Sequence, residues 1–295
     1  MNIALAANDS YIEHLAVTLV SILINSNVND RFKFYILSND ISEESKKKLK
    51  SLKKIKNFEI DFLIIKENAF INLPTKYHYT KQIYYRLCMP ELIKEDRVLY
   101  LDSDIIVRKS LKDFYETDLK DNVVAVIEDL LIGNEGDKDN IHRKIVKSQN
   151  YFNSGVMLWD LKKAKEQNIA DRCVRYIQEN AELLAYFDQD ALNYILDGMC
   201  LFKDKKYNFQ YNRHFKNIKI LYNNLKKKII IIHFVTSIKP WNVGLALPFI
   251  LEYYYYAFLT PWRYQAFNNL FCNILFKNLS LKLEKTKFCL KIYSI

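Results

Sequence analysis

The sequence predicts an α/β fold in which helices cover both faces of a mixed, largely parallel sheet. Short apolar runs alternate with segments whose apolar residues recur at helical spacing, and this alternation is typical of parallel strands joined by helices. Hydrophobic residues make up 50% of the 295 residues, which is enough for a sizeable core. Only 5 glycines and 5 prolines are present, which argues against a linker-rich or disordered chain.

The first half of the chain alternates between strands and helices. The predicted strands cover 3–7, 32–38, 57–65 and 97–101, and the predicted helices cover 12–23, 42–52 and 80–88. Ser42 is the expected N-cap of the second helix, whose acidic residues precede its lysines in the order that the helix dipole favours.

The second half continues this pattern and then changes composition near Pro248. Strands are predicted at 122–129, 151–160 and 226–234, with helices at 161–180 and 188–196. Residues 261–295 contain six Lys or Arg, one Glu and seven aromatic residues. An apolar stripe at helical spacing comprises Phe267, Leu270, Phe271, Ile274 and Leu275. We therefore predict a folded domain over 1–250 and a basic, aromatic-rich helical tail over 251–295.

The tail composition suits an interfacial helix on an anionic membrane surface. A helix packed on the domain or on a second subunit is the alternative. The formal net charge of +10 is compatible with polyanionic partners or with a solvated, lysine-rich surface. No helix-turn-helix, zinc-finger or RNA-binding signature is present, so we expect no nucleic acid partner.

The sequence predicts neither a signal peptide nor a spanning helix, since its apolar runs are too short. The five cysteines are scattered and show no Cys-x-x-Cys spacing. A disulfide framework and a zinc cluster are therefore not expected, and a reducing cytoplasm is the simplest setting.

Polar residues stand at the ends of several predicted strands. They are Asn8–Ser10, Asp102–Asp104, Glu128–Asp129, Asn153 and His233. Ligands of open α/β sheets bind outside the carboxyl ends of the strands. We therefore expect these residues to converge on one crevice.

The stretch RVLYLDSDIIV places two carboxylates, Asp102 and Asp104, at the end of a buried strand. Their backbones are about 6.6 Å apart, so both side chains can reach one cation of the Mg²⁺ or Mn²⁺ type. A turn in which each aspartate caps a backbone N–H is the alternative. His233, at the end of another apolar strand, and Lys239, in the segment that follows, favour a metal–diphosphate site.

Five motifs in order carry a resemblance to a known family. They are YLDSDIIV, YFNSGVMLWDLKK, DQDALN, YNFQYN and IIHFVTSIKPW, and the opening IALAANDSY also fits. Over roughly residues 1–245 the chain resembles the retaining glycosyltransferases of family 8. It is most similar to the bacterial galactosyl- and glucosyltransferases that extend lipopolysaccharide or lipooligosaccharide cores.

The resemblance implies a GT-A-type nucleotide-diphospho-sugar transferase fold with residues 1–250 as catalytic domain. It implies a UDP-hexose donor, a glycan or glycolipid acceptor, and transfer with retention at the anomeric carbon. Asp102, Asp104 and His233 match the ligands of a Mn²⁺ cofactor, for which Mg²⁺ is an alternative. The enzyme would be cytoplasmic and attached peripherally to the inner face of the cytoplasmic membrane through its tail.

Further residues match the family by position. Those that match the UDP site are Ala6, Asn8, Ser10, Tyr11, Ser103, Thr236 and Lys239, with Tyr11 stacking on uracil. Those that match the donor-sugar site are Arg86, Asn153, Ser154, Gly155, Asp188 and Gln189, and those on the acceptor side are His78 and Asp129. Relatives often have Asp at the position of Asn8 and Gly at the position of Thr236, where Thr would alter the phosphate loop if a glycine-only backbone angle is needed.

Sugar transfer with retention at the anomeric carbon can follow two chemical routes. A double displacement needs an enzyme nucleophile, for which Asp190 is chemically better than Gln189, although Asp190 also suits a helix cap. In a front-face route, the leaving phosphate helps to deprotonate the incoming hydroxyl. We favour the front-face route, with Gln189 as a positional and electrostatic residue. The candidate catalytic residues are Gln189, Asp188 and Asp190.

Three rival interpretations differ in class. A nucleotidylyltransferase usually has a Gly-rich N-terminal loop, which AANDSY lacks. A glycogenin-like protein would carry sugar on its own tyrosine. A basic nucleic-acid-binding protein would retain DNA beyond modest salt. The sequence leaves the choice between galactose and glucose open.

Overall fold

A mixed sheet forms the centre of the structure. The computed structural model describes residues 1–75, 80–130, 132, 145–148, 150–211, 227–235, 239–242 and 249–272. The strands of the main sheet are β1 (Asn2–Ala6), β2 (Lys33–Ser38), β3 (Glu59–Ile64), β4 (Arg97–Leu101), β6 (Val124–Glu128), β7 (Phe152–Asp160) and β8 (Cys200–Lys203). Their order is β3-β2-β1-β4-β7-β6-β8.

A small second sheet lies beside the first. It consists of β5 (Ile105–Val107), β9 (Phe209–Gln210) and β10 (Ile231–His233), in the order β5-β10-β9. Strand β10 pairs antiparallel with β5 and parallel with β9. This sheet places the chain around His233 next to the chain that follows β4.

Helices and 3₁₀ turns join the strands. The α-helices are α1 (Ile12–Ile24), α2 (Glu43–Lys50), α3 (Met89–Leu92), α4 (Lys112–Tyr115), α5 (Leu161–Glu166), α6 (Ile169–Asn180), α7 (Phe187–Ile195) and α8 (Ile250–Ala257), and residues 263–272 form helix α9. The 3₁₀ segments are Asp9–Tyr11, Ser51–Lys54, Glu67–Phe70, Lys81–Cys88, Lys205–Tyr207 and Pro240–Asn242.

Two of these elements differ from the sequence prediction. The predicted helix over 161–180 is divided into α5 and α6 at Asn168, whose φ of 52° is left-handed. Asparagine tolerates this conformation better than most residues, so it ends one helix and redirects the chain. The segment predicted as a helix over 80–88 is a 3₁₀ helix over Lys81–Cys88.

Strand β7 runs against the other strands of the main sheet. It is antiparallel to both β4 and β6, whereas β1–β2, β2–β3, β1–β4 and β6–β8 are parallel pairs. Asn153 therefore reaches the carboxyl edge of the sheet from the beginning of its strand. We expected Asn153 at a carboxyl end, and the reversed direction brings it to the same place.

The core lies on both faces of the main sheet. Alternate residues of one strand enter different clusters: Ile3 and Leu5 pack with α1 on one face, and Ala4 packs with Tyr100 and Tyr84 on the other. Burial on both faces is what near-continuous apolar strands require. The sheet is thus a rigid base for the residues at its carboxyl edge.

The packed fold continues beyond residue 250. Helix α8 lies on α1, buries Tyr253 and Tyr256, and accepts a hydrogen bond of 2.7 Å at the Tyr256 hydroxyl from Asn25 Nδ2. Trp262 is also buried. The boundary that we predicted at 250 therefore coincides with the start of a core helix. Among the described helices, none combines the length and the hydropathy needed to cross a bilayer.

Candidate active site

Two aspartates and one histidine meet at the carboxyl edge of the sheet. Asp102 follows β4, Asp104 precedes β5, and His233 ends β10 opposite Ile105. His233 Nε2 lies 3.6 Å from Asp102 Oδ2 and 3.2 Å from Asp104 Oδ1. Ligand atoms of the three residues all lie within 4.8 Å of one another. The structure thus brings together the three residues predicted as metal ligands.

Each aspartate uses one oxygen within the protein and turns the other toward His233. Asp102 Oδ1 accepts hydrogen bonds of 3.0 Å from Arg86 and from the Tyr100 hydroxyl. Asp104 Oδ2 accepts from Lys239 Nζ at 2.5 Å. Asp104 Oδ1 is buried, and the described residues give it no hydrogen bond. Two carboxylate oxygens and one imidazole nitrogen fit a divalent cation such as Mn²⁺.

Asp104 is held in its anionic form. Burial alone would raise the pKa of its carboxyl, but the charge of Lys239 lowers that pKa below its usual value. An ionised carboxylate is the form that binds a cation.

Gly155 lies next to two of these three residues, His233 and Asp102. A Cβ atom at this position would be 2.2 Å from His233 Cε1 and 2.5 Å from Asp102 Oδ2. The carbonyl of Gly155 also accepts a hydrogen bond of 2.9 Å from the backbone N–H of Asp102. We predicted Gly155 as a donor-sugar contact, and the structure adds that only glycine leaves room for the metal ligands.

Arg86 joins the metal aspartate to the donor-sugar residues. Its Nη2 donates to Asp102, its Nη1 donates to Ser154 Oγ at 2.9 Å, and its Nε lies 3.1 Å from Asp188 Oδ2. Its guanidinium lies 4.5 Å from the centre of the Tyr100 ring. Burial opposes its charge, but Asp102 and the other neighbouring acids raise the pKa of Arg86 overall, so it stays cationic.

Asp188 shares that single cation with Asp102. Burial, opposed by Arg86 and assisted by Asp102, raises the pKa of Asp188 to about 7. One guanidinium therefore does not fully compensate two buried carboxylates.

Gln189 is fixed by hydrogen bonds on both ends of its amide. Its Oε1 accepts from the backbone N–H of Ser154 at 2.9 Å and from Asn153 Nδ2 at 3.3 Å. Its Nε2 donates to Asp129 Oδ2 at 3.0 Å. Asp129, predicted on the acceptor side, is thus buried against Gln189 and orients it.

The loop predicted to bind the nucleotide follows β1. The Ala6 carbonyl accepts from Ser103 Oγ at 2.8 Å, which ties the loop to the metal segment. Asn8 Oδ1 accepts from the backbone N–H of Tyr11 at 3.0 Å and from Ser10 Oγ at 2.9 Å. Asn8 therefore caps the 3₁₀ turn Asp9–Tyr11 with its oxygen, and its NH₂ group is what it can offer to a base.

Tyr11 belongs to an aromatic cluster close in sequence to Lys239, the residue predicted to meet the diphosphate. Its ring meets His14 edge-on at 5.0 Å and Trp241 edge-on at 5.5 Å, and His14 stacks on Trp241 at 3.6 Å. Trp241 follows Lys239 by two residues. The predicted base-binding and diphosphate-binding residues are therefore neighbours. Two predicted residues, His78 and Thr236, lie outside the described residues.

Most of the chain matches a known protein family. The sequence model of glycosyl transferase family 8 matches residues 2–243. The chain belongs to glycosyltransferase family 8. General stress protein A of Bacillus subtilis is 30% identical over 276 residues, which cover 89% of this chain and 95% of that protein. The lipopolysaccharide 1,2-glucosyltransferase of Escherichia coli is 26% identical, over 89% of this chain and 79% of that enzyme.

A solved structure shows the same fold. The galactosyltransferase LgtC, in complex with donor and acceptor sugar analogues, superposes with a TM-score of 0.77 at 26% identity and covers 88% of this chain and 96% of its own. This confirms the predicted GT-A-type fold with its mixed sheet. Neither a nucleic-acid-binding protein nor a self-glucosylating protein is favoured by these similarities.

Asp190 has a well-defined structural environment in this family 8 glycosyltransferase. It is 0% exposed. Its Oδ1 accepts from the Tyr151 hydroxyl at 2.6 Å, and its Oδ2 accepts from the backbone N–H groups of Ala185 and Tyr186 at 2.9 and 2.8 Å. These bonds hold the chain that enters α7, which carries Asp188 and Gln189.

Three residues of the site were not predicted from the sequence. Tyr100 donates to Asp102, Tyr151 donates to Asp190, and Asn208 joins His233 to Asn153. The motif YNFQYN contained Asn208, but only the contact between β9 and β10 reveals its partners. Tyr100 precedes Asp102 by two residues, so both side chains lie on the same side of the extended chain.

Proposed function

We propose that this glycosyltransferase is a retaining hexosyltransferase with a UDP-sugar donor. It transfers galactose or glucose to a lipopolysaccharide or lipooligosaccharide core, or to a similar glycan or glycolipid, and depends on Mn²⁺, with Mg²⁺ as an alternative. The observation that carries this proposal is the convergence of Asp102 Oδ2, Asp104 Oδ1 and His233 Nε2. The similarity to an E. coli lipopolysaccharide glucosyltransferase supports the acceptor class.

The surrounding residues suit a nucleotide diphosphate and its sugar. Held by Asp102, Asp104 and His233, a divalent cation would neutralise the diphosphate of the departing nucleotide. Lys239 and Arg86 add fixed positive charge on either side of the two aspartates. Such preorganised charge is the largest contribution to many group-transfer reactions.

We favour a front-face route for retention. Gln189 Oε1 accepts three hydrogen bonds, from Ser154 N–H, Ser154 Oγ and Asn153 Nδ2, and an amide oxygen is a weak nucleophile. Both oxygens of Asp190 are engaged in holding the entry to α7. The acceptor oxygen would bond to the anomeric carbon as the bond to the phosphate oxygen breaks, and the acceptor proton would pass to that phosphate oxygen.

The test is release of UDP from a panel of UDP-hexoses, with and without Mn²⁺ and with a lipooligosaccharide core as acceptor. We expect UDP release from UDP-galactose or UDP-glucose that requires the metal, together with a product of retained anomeric configuration. Equal release in the presence of a metal chelator would contradict the proposal. Intact mass of the recovered enzyme separates this activity from self-glucosylation.

We infer that the enzyme is cytoplasmic and attaches peripherally to the anionic inner face of the membrane. The described part of the predicted tail supports this, because α9 exposes large aromatic side chains: Tyr264 is 71%, Phe267 58% and Phe271 53% exposed. Exposed aromatic residues beside basic ones are typical of interfacial helices.

Helix α2 adds positive charge next to this surface. Lys48 Nζ lies 5.2 Å from the centre of the Trp262 ring, which places α2 beside the start of α9. Lys47 and Lys50 on α2, and Lys53 and Lys54 just after it, are exposed. Each basic residue near an anionic surface contributes about 1 kcal/mol, and this contribution falls as salt rises.

The attachment is tested by co-sedimentation with anionic vesicles across a salt series. The variants are a deletion of residues 273–295 and a triple change of Tyr264, Phe267 and Phe271 to Ser. Both leave the buried Trp262 in place. We expect both to lose sedimentation at physiological salt and to keep donor hydrolysis. Changing the exposed Ile64 and Leu183 to Ser is the matched control. Full-length protein that fails to sediment at low salt would contradict membrane attachment.

A further inference from the structure

A buried amide connects the histidine of the metal site to the donor-sugar residues. Asn208 is 0% exposed and lies between the 3₁₀ turn Lys205–Tyr207 and β9. Its Oδ1 is 3.0 Å from His233 Nδ1, and its Nδ2 donates to Asn153 Oδ1 at 2.9 Å. Asn153 Nδ2 in turn lies 3.3 Å from Gln189 Oε1. A continuous line of polar contacts therefore runs from His233 to Gln189.

The direction of each hydrogen bond in this line is fixed by a backbone group. The backbone N–H of Gly155 can only donate, and it lies 3.1 Å from Asn153 Oδ1, so that atom is the carbonyl oxygen. The Asn208 atom that approaches the same oxygen must then be the NH₂ group. This leaves the oxygen of Asn208 facing His233, so His233 Nδ1 must carry a hydrogen.

The position of this hydrogen determines whether the other ring nitrogen, Nε2, can bind a cation. With its hydrogen on Nδ1, a neutral His233 presents the lone pair of Nε2 to Asp102 Oδ2 and Asp104 Oδ1, which lie 3.6 and 3.2 Å away. Three electron-rich atoms then face one point. The opposite tautomer would direct a hydrogen at Asp104 and would not ligate a cation.

We propose that Asn208 is a positioning residue that sets the tautomer of His233. Through Asn153, it also connects the metal site to the donor-sugar residue Gln189. This inference rests on the proposed metal-dependent transfer. Partners of this kind, behind a metal-binding histidine, typically change metal affinity by 10–100-fold when they are replaced.

Two substitutions of similar volume separate positioning from packing. Asn208→Asp keeps an acceptor for His233 Nδ1 but cannot donate to Asn153 when ionised. Asn208→Leu fills the space and removes both contacts. We expect Asn208→Leu to weaken Mn²⁺ binding by 10–100-fold. We expect Asn208→Asp to bind Mn²⁺ within about threefold of the wild type. Its effect should instead be a higher KM for the donor sugar. Binding is read from the electron paramagnetic resonance signal of free Mn²⁺.

The matched control is Asn193→Leu. Asn193 is also buried, but it binds the backbone of Phe152 and Gln189 and does not touch His233. We expect it to lower the melting temperature without changing Mn²⁺ affinity relative to the wild type. If Asn208→Leu binds Mn²⁺ within threefold of the wild type, or if the Asp and Leu variants lose affinity equally, Asn208 acts through packing alone and the proposal is wrong.

A second measurement does not require activity or a metal. Two-bond proton–nitrogen NMR spectra at alkaline pH, with His233 assigned by its absence in His233→Gln, report which ring nitrogen carries the hydrogen. We expect Nδ1–H in the wild type and in Asn208→Asp. A hydrogen on Nε2 in the wild type would overturn the proposal. A wild type with Nδ1–H that binds no Mn²⁺ would instead overturn the metal-dependent function and leave the orientation by Asn208 standing.

Discussion

The two sides of the crevice are built differently. We define the buried wall as Arg86, Asn153, Ser154, Asp188, Gln189, Asn208 and His233, all of which are buried. We define the nucleotide rim as Asn8, Asp9, Ser10 and Tyr11, which are half-buried or exposed. The wall side chains hydrogen-bond to one another across several strands, whereas the rim is held by the cap that Asn8 places on its own turn and by the hydrogen bonds that Asp9 accepts from Ser42.

This difference separates the two functions expected of the site. A buried polar group left without its partner costs about 1–3 kcal/mol, and a network transmits the loss to its other members. Substitutions in the wall should therefore disturb turnover, and those that touch His233 or Asp102 should disturb metal binding as well. The rim is predicted to contact a base by stacking and by exposed hydrogen bonds, so its substitutions should change donor affinity and leave turnover close to that of the wild type.

The largest effect is expected where the wall meets the metal ligands. Gly155→Ala places a methyl group 2.2 Å from His233 Cε1, so the ligands must move. A displacement of about 1 Å is enough to reduce a reaction by about 10²-fold. We expect transfer to fall by at least that factor and Mn²⁺ affinity to fall with it, as measured by UDP release and by metal titration.

Gly198→Ala is the control for the general cost of replacing a glycine. Gly198 has a φ of 82° and has no atoms within 4 Å of an added Cβ, so alanine strains the backbone without touching the site. We expect Gly198→Ala to lower stability by about 1 kcal/mol and to retain transfer. Equal losses of transfer in the two variants would mean that Gly155 has no special relation to the ligands.

The second prediction removes one anionic ligand while keeping its shape. We expect Asp104→Asn to reduce transfer by about 10²-fold or more, because the amide is a weaker ligand and no longer balances Lys239. The protein should remain folded by circular dichroism. Transfer within about tenfold of the wild type at saturating donor would contradict the role of Asp104 as a metal ligand.

The third prediction tests whether the wall acts on the sugar rather than on the nucleotide. Gln189→Ala removes the side chain that Asp129 and Ser154 hold in place. We expect turnover to fall by about 10-fold or more, with Mn²⁺-dependent UDP affinity changing by less than about threefold. Parallel losses in both quantities would show that Gln189 supports the structure of the crevice as a whole.

The sequence identified six of the seven wall residues as candidates, but it did not predict how they are connected. Asp102, Asp104 and His233 end apolar runs, and a polar residue at the end of an apolar strand is visible in one dimension. The role of Asn208 depends on β9 lying next to β10, and the position of Asn153 depends on the reversed direction of β7. Strand direction leaves no mark in the hydrophobic pattern, because residues alternate in the same way in either direction.

The predicted tail shows a second limit of prediction from the sequence. The aromatic run of α8 has the composition of an interfacial helix, yet Tyr253 and Tyr256 are buried against α1. An apolar helical face does not specify whether it meets lipid or protein. Tyr255 is the exposed member of the aromatic run of α8, and further exposed aromatic residues follow the buried Trp262 from Tyr264 onward.

The fourth prediction concerns the rim. Tyr11→Leu removes an aromatic face while keeping an apolar side chain against His14 and Trp241. A stacked base is worth about 1–3 kcal/mol, so we expect the donor KM to rise by about 5- to 100-fold. Turnover at saturating donor should stay within about twofold of the wild type. Tyr11→Phe is the control, since it keeps the ring and should keep the KM.

The smallest effect is a difference in pH dependence between an acid of the wall and an acid of the rim. Burial raises the pKa of Asp188 from 3.8 to about 7. Burial also acts to raise the pKa of Asp9, but hydrogen bonds from Ser45 and Ser42 outweigh it and lower that pKa. Between pH 3.8 and about 7 the unfolded chain releases the Asp188 proton while the folded protein keeps it. The contribution of Asp188 to stability is therefore fully present below that window and is lost as the pH rises through it.

The contribution of Asp9 has the opposite sign: it is present above the usual carboxyl pKa and is lost as the pH falls below it. We therefore expect the melting temperature of Asp188→Asn to rise relative to the wild type as the pH increases from about 4 to about 7. That of Asp9→Asn should approach the wild type as the pH is lowered toward acid. Thermal unfolding of the three metal-free proteins over this range, at constant ionic strength, measures both slopes. Parallel curves for Asp188→Asn and the wild type would mean that Arg86 compensates the buried carboxylate in full, and the contrast in charge between wall and rim would then disappear.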